Sequence, residues 1–166
     1  MEYNELIKAR HSVRKYSEKK VSPELLREIL EAGRLSPTAR NMQVQRILAV
    51  QSDEGIAKLN ECSPCLFGAT TVLVAAFDTR PMNGNYGRVD ASIALTHMML
   101  KAADLGLGTV WVGIFDHDEL HEQFNIPEEY EIVSIMPVGY PAEDSRPSAM
   151  HEDRLPLADT VQFESY

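Results

Sequence analysis

Hydrophobic positions along the chain recur with two different periods, and the changes between them mark out the elements. Ser22-Pro23 reads as a helix N-cap followed by proline at the first helical position, and Leu25, Leu26, Ile29 and Leu30 then return at helical spacing. Residues 46–51 predict a short strand and 53–62 a helix. Residues 70–78 are apolar on both faces, the pattern of a central strand covered on each side. Residues 79–87, with Pro81, Asn83, Gly84, Asn85 and Gly87, have the composition of a loop.

From 89 to 105 the apolar residues Ala91, Ile93, Ala94, Leu95, Met98, Met99, Leu100, Ala102 and Ala103 run almost all round a helix, with Gly106 placed to end it. Such a helix is expected to be buried, with a subunit contact as one way to bury it. Residues 109–115 predict a strand, Asp116 caps a helix with Glu119 at the capping-box position, and 131–138 predict a last strand. After Gly139-Tyr140-Pro141 the chain turns polar, with Pro147 and Pro156 and little apolar periodicity, so the tail is expected to lean on something else. The pattern is mixed α and β, without internal repeats.

At 166 residues and 44% hydrophobic content, the chain suits one core and one domain. The apolar stretch 69–77 is far shorter than the roughly 20 residues that cross a bilayer, and no basic residue precedes an apolar run near Met1. The expected compartment is the cytoplasm. A formal net charge of −9 argues against nucleic acid or an anionic membrane as partner. One segment departs from that balance: Lys8, Arg10, Arg14, Lys15, Lys19 and Lys20 stand within thirteen residues against Glu18 alone. Such a concentration suits a small anionic ligand, or a solvated basic face.

Other candidate motifs carry less. Cys62 and Cys65 form Cys-x-x-Cys, but no second Cys/His pair completes a zinc site, and the segment leads into a strand, so two packed thiols are expected. Gly106-Leu107-Gly108 lacks a third glycine at Trp111 and lies between helix and strand in the wrong order for a dinucleotide fingerprint. His117-Asp118-Glu119-Leu120-His121 lacks the glutamate of a zinc-protease helix. His97, beside Met98 and Met99, reads as a hydrogen-bonded core histidine. Neither a Gly-x-Ser-x-Gly elbow nor a P-loop is present.

Arg10-His11-Ser12-Val13-Arg14-Lys15-Tyr16, then Ser36-Pro37-Thr38-Ala39-Arg40-Asn41-Met42-Gln43, resembles the paired N-terminal motifs of the nitroreductase family. Asp90 on the long helix, Gly106-Leu107-Gly108-Thr109-Val110-Trp111-Val112-Gly113, Pro137-Val138-Gly139-Tyr140-Pro141 and Arg154 continue the resemblance in order over almost the whole chain. It implies an α+β fold with a mostly antiparallel central sheet flanked by helices, in an intertwined homodimer whose C-terminal arms, residues 142–166, exchange. It also implies bound FMN, with hydride passing from NADH or NADPH to an electron-poor acceptor such as a nitroaromatic or quinone.

By the same resemblance Arg10, His11, Ser12, Arg14 and Arg154 hold the phosphate and ribityl end, and the loop carrying Pro37, Thr38, Ala39, Asn41 and Gln43 reaches a flavin held mainly by the partner subunit. The backbone of Trp111, Val112 and Gly113 lies against the ring. Their chemistry suits these roles: guanidinium forks match phosphate, hydroxyl and imidazole add short hydrogen bonds, and an asparagine amide both donates and accepts. No side-chain acid or base is implied, because the flavin carries the chemistry. The alternative with the same fold is a non-catalytic protein that stores or senses FMN.

Three departures from the family pattern stand out. Val44, Gln45 and Arg46 follow Gln43 where proline and apolar or aromatic neighbours are usual. The segment 79–88 is too short for a helical roof, implying an open site. Glu152 and Asp153 stand beside Arg154 where a second basic residue is often found.

Overall fold

The computed structural model describes residues 1–81 and 84–165. Four strands form one antiparallel sheet in the order β1-β2-β4-β3: β1 Gln45–Val50, β2 Thr71–Asp78, β3 Gly108–Thr109 and β4 Tyr130–Gly139. The helices are α1 Tyr3–Ala9, α2 Pro23–Arg34, α3 Asp53–Cys62, α4 Gly84–Asp104, α5 His117–Phe124 and a one-turn α6 Leu157–Thr160.

Strand β2 organises the layers. Every one of its residues is buried, and its side chains alternate between the two faces. Val72, Val74 and Ala76 join Leu59, Cys62, Leu120 and Ile135 on the face covered by α3 and α5. Leu73 and Ala75 join Leu26, Ile29, Leu95, Met98 and Met136 on the face covered by α2 and α4. A strand without a polar face is stable only between two such layers.

Helices α2, α3 and α5 begin, and α4 ends, as their sequences direct. Ser22 Oγ accepts from Leu25 N at 3.4 Å, Ser52 Oγ from Gly55 N at 3.1 Å and Asp116 Oδ1 from Glu119 N at 3.0 Å. In α5 the reciprocal half of the box is absent, because the Asp116 backbone N–H donates to Cys62 O at 2.9 Å, and Glu119 Oε1 accepts from Gln123 Nε2. Helix α4 closes in a Schellman arrangement, with Leu107 N–H donating to Ala102 O at 2.8 Å and Gly106 N–H to Ala103 O at 3.0 Å.

Four expectations need correction. The segment expected as a loop over 79–87 is already helical from Gly84; Met82 and Asn83 lie outside the described residues. Low helix propensity at Gly84, Asn85 and Gly87 is overridden by packing, since Gly87 sits where a Cβ would collide with the Phe77 ring. Second, the strand expected over 109–115 shrinks to Gly108–Thr109 plus an isolated bridge between Val112 and Ile135. Val110 N donates to Pro137 O at 3.4 Å, but Pro137 has no N–H to return, and the ladder breaks there. Third, α1 was not expected at all; none of its residues is buried, so it carries no core-facing stripe. Fourth, His97 is exposed on α4, its Nδ1 bonded to Ile93 O at 2.9 Å, so that helix has an outer face with Thr96 and His97 on it.

Past β3 the sheet edge is covered by an N-terminal strap. Ser12 bridges Thr109 in parallel, Val13 N donates to Thr109 O at 2.9 Å, Ser17 N donates to Tyr140 O at 2.9 Å, and Tyr16 bridges Pro141. Buried Val13 and Tyr16 anchor the strap beside Ala69, and Tyr16 Oη donates to Pro137 O at 3.2 Å. Burial pushes the Tyr16 phenol well above its ordinary range, so it remains a donor there. Among the described residues, no helix is long and apolar enough to cross a membrane.

Candidate functional site

The strap sets the orientation of the basic cluster. In extended backbone successive side chains alternate, so burying Val13 turns Ser12 and Arg14 to the opposite side. Arg10 ends α1, its backbone N–H bonded to Leu6 O, and its half-buried guanidinium lies 3.9 Å from Met99 Sδ on α4.

The tail closes the other side. Ser148 caps a short 3₁₀ turn, Ala149–His151, accepting from Met150 N through its hydroxyl at 3.3 Å. The turn is fastened across the chain by His151 Nε2, 3.0 Å from the carbonyl oxygen of Lys8. The result is a cavity of about 140 Å³ lined by Arg10, His11, Ser12, Arg14, Ser148, Met150, His151 and Arg154.

Its electrostatics are one-sided. Among the described residues, no carboxylate lines the cavity and none of Arg10, Arg14 and Arg154 has an ion-pair partner. Arg154 donates to the carbonyls of Met150 at 3.1 Å and Asp153 at 2.6 Å. Burial, and secondarily the charge of Arg154, lower the pKa of Arg10 from its ordinary value. Guanidinium groups brought together without counter-charge, beside two hydroxyls, form a receptor for an oxyanion.

The structure thus brings together Arg10, His11, Ser12, Arg14 and Arg154, and adds Ser148 and His151, which sequence reasoning missed. The signal for them was faint: a serine and a histidine within six residues of Arg154, in a tail without periodicity.

The second group stands apart. None of Pro37, Thr38, Ala39, Asn41 and Gln43 borders the cavity. Their loop is held by buried Asp90 of α4, whose carboxylate accepts from Ala39 N at 3.0 and 3.2 Å, and by Thr38 Oγ1, which accepts from Gln43 N at 3.0 Å. Arg40, Asn41 and Gln43 all take positive φ, at 53°, 56° and 51°. Three left-handed non-glycine residues in one short loop cost free energy, and such strain gathers where a chain is shaped for a ligand. Asp90 and Met99 mark the two groups along α4, and nine residues of helix put them about 14 Å apart.

Trp111, Val112 and Gly113 do not line the cavity either. Trp111 lies two residues beyond Thr109, the bridge partner of Ser12, about 7 Å along extended chain. Val112 turns its side chain into the core, bonding through its backbone to Ile135 at 3.0 and 3.1 Å, while Trp111 and Gly113 are exposed.

The remaining polar motifs are committed locally. Cys62 is buried with its thiol 3.3 Å from Lys58 O, and burial, then the charges of Glu119, Asp116 and Glu61, push that thiol up. His121 Nδ1 lies 2.9 Å from Ile126 O.

The sequence profile of the nitroreductase family matches residues 7–65 and 62–140. A relative from Methanothermobacter thermautotrophicus, bearing the provisional name NADH dehydrogenase/NAD(P)H nitroreductase, is 32% identical over 154 residues, covering 87% of this chain and 80% of its own. The crystal structure of a nitroreductase family protein from Clostridium difficile 630 superposes with a TM-score of 0.91 at 34% identity, covering 100% of both chains. A nitroreductase-like structure from Desulfovibrio desulfuricans, solved in complex with FMN, superposes at 0.86 with 27% identity over 100% of this chain and 98% of that one.

Proposed function

This chain belongs to the nitroreductase family, and from that premise we propose that it is an FMN-dependent oxidoreductase taking hydride from NADH or NADPH and delivering it to an electron-poor acceptor, a nitroaromatic or a quinone. The observation that carries the cofactor assignment is the cavity at the strap, with Arg10, Arg14 and Arg154 and no acid in its lining. That donor set fits the phosphate of FMN.

Arg10, Arg14 and Arg154 bind the phosphate, and His11 and Ser12 hydrogen-bond the phosphate and ribityl end. The backbone of Trp111, Val112 and Gly113 supports the ring, where Gly113 leaves open space. Pro37, Thr38, Ala39, Asn41 and Gln43 contact a flavin held by the other subunit of a homodimer, with Asn41 at its amide edge. Asp90 fixes that loop in shape. FMN, held by these residues, would supply the hydride-transfer chemistry between the nicotinamide and the acceptor. The chain's own part is to orient the ring, exclude one face from water and place donors where negative charge develops on reduction.

The protein acts as one FMN-binding unit over residues 1–166, with 142–166 serving as an arm that packs on the partner. Free Cys62 and Cys65 are in keeping with a cytoplasmic location, where thiols stay reduced. The test is anaerobic stopped-flow mixing of FMN-loaded protein with NADH and, separately, NADPH. The visible flavin band is expected to bleach with at least one. A loaded protein that neither donor bleaches would overturn the nicotinamide step, and a protein that takes up no FMN would overturn the cofactor assignment.

A further inference from the structure

The cavity at the strap contains two histidines, and their hydrogen bonds fix their chemistry. A carbonyl oxygen can only accept, so His151 Nε2, 3.0 Å from Lys8 O, and His11 Nδ1, 3.1 Å from Ala9 O, both carry hydrogen. The sole remaining proton-accepting atoms of the two rings are His151 Nδ1 and His11 Nε2. The rings meet edge to face with centroids 5.7 Å apart, and both border the space lined by the three arginines.

Resting on the assignment of this cavity to the FMN phosphate, we propose that His151 is a proton-dependent phosphate ligand, so that the phosphate group and a proton bind to this site together. His151 stands one residue before Glu152 and Asp153, which occupy the stretch where a second basic residue beside Arg154 was expected. The cation lost there is replaced by a conditional one, fastened to the strap through Lys8 O.

The charges around the ring set the direction of the linkage. The strap and the end of α1 contribute Lys8, Arg10, His11 and Arg14, and the tail contributes Glu152, Asp153 and Arg154. Neither Glu152 nor Asp153 lines the cavity, and neither is in an ion pair among the described residues. Among the described residues, no acidic side chain lines the cavity that the imidazole borders. A phosphate dianion bound there supplies the negative charge that draws a proton onto Nδ1. Imidazole exchanges its proton between about pH 5 and 8, and a phosphate monoester loses its second proton near about pH 6. Above pH 6.5 the phosphate is mostly dianionic, and the imidazole dominates the pH dependence of binding.

The experiment measures FMN and riboflavin affinity by flavin fluorescence from pH 6.5 to 8.5, with calorimetry in buffers of different ionisation enthalpy to count protons. The wild-type protein is expected to take up a fraction of a proton on binding FMN and to bind it more weakly as pH rises. His151→Gln keeps a donor for Lys8 O but cannot be charged; it should bind FMN about tenfold more weakly at pH 6.5, the size of one charge-assisted hydrogen bond, and converge with wild type at pH 8.5. His151→Lys should hold FMN tightly across the range. Riboflavin, which lacks the phosphate, should bind wild type and His151→Gln alike. An unchanged slope and affinity in His151→Gln, or an equal loss for riboflavin, overturns the proposal. Wild-type protein that binds FMN without pH dependence overturns it too while leaving the cofactor assignment standing, whereas failure to bind FMN at all removes the assignment itself.

Discussion

At the scale of the residue, a cluster of ion pairs around one buried carboxylate lies away from the cavity. Asp78 ends β2 buried to 3% exposure, and its carboxylate receives Arg80 at 2.6 Å and Arg46 at 3.6 Å. Arg80 in turn reaches Glu129 at 3.0 Å, tying the ends of β2 and β4. Hydrogen bonding from the Arg80 side chain is the main cause that lowers the Asp78 carboxyl to about 2, against the opposing effect of its own burial. A folded-state pKa below the unfolded value of about 3.9 means that this contribution to stability is complete above pH 4 and is lost as pH falls toward 2. Asp78→Asn should therefore lower Tm at neutral pH, with the gap from wild type closing between pH 4 and 2. Thermal unfolding followed by circular dichroism across that range checks it; a gap independent of pH would rule out the linkage.

At the scale of the element, the long periodic segments were readable in the sequence. Helix α3 has the expected bounds Asp53–Cys62, and β1, β2 and β4 fall within one residue of theirs. Elements set by distant partners were not. β3 is cut short by Pro137, α4 starts early because Gly87 packs on Phe77, and α1 buries nothing that would leave a stripe. The candidate site divides in the same way. Arg10, His11, Ser12 and Arg14 are neighbours in sequence and stand out as a motif, whereas His151 reaches the cavity through a bond to a carbonyl 143 residues away. The strap that joins these levels rests on one close approach: a Cβ on Gly108 would stand 2.8 Å from Cβ of fully buried Val13. Gly108→Ala should cost about 1–3 kcal/mol by overpacking, read by urea unfolding, and should weaken FMN retention because Ser12 and Arg14 ride on the same strap. Adding Val13→Ala should give a double variant less destabilised than the sum of the singles. Strict additivity would mean that the two positions do not meet.

At the scale of the whole molecule, the chain leaves apolar surface that it does not cover itself. In the tail, Leu155 and Leu157 are each 71% exposed and Phe163 is 83% exposed, and no residue of α6 is buried. Tyr86 and Val89 are exposed on the first turns of α4, close in sequence to Asp90, which holds the 37–43 loop. Exposed apolar residues grouped in the tail and at the start of α4 mark surfaces suited to contact. The proposed homodimer, in which each tail covers the partner and each 37–43 loop completes the partner's flavin site, would account for both, and for two groups of candidate ligands that meet α4 at points about 14 Å apart. Removing residues 155–166 tests this while sparing Arg154 and the cavity. In sedimentation equilibrium the full chain is expected to be a dimer at micromolar concentration, and the shortened chain to dissociate at concentrations where the full chain does not. If the site is shared as proposed, the shortened chain should also bind FMN more weakly on dilution, with the contact assigned to Asn41 lost as the subunits part. A full-length protein that sediments as a monomer while binding FMN tightly would refute the shared site and confine the cofactor to contacts within one chain.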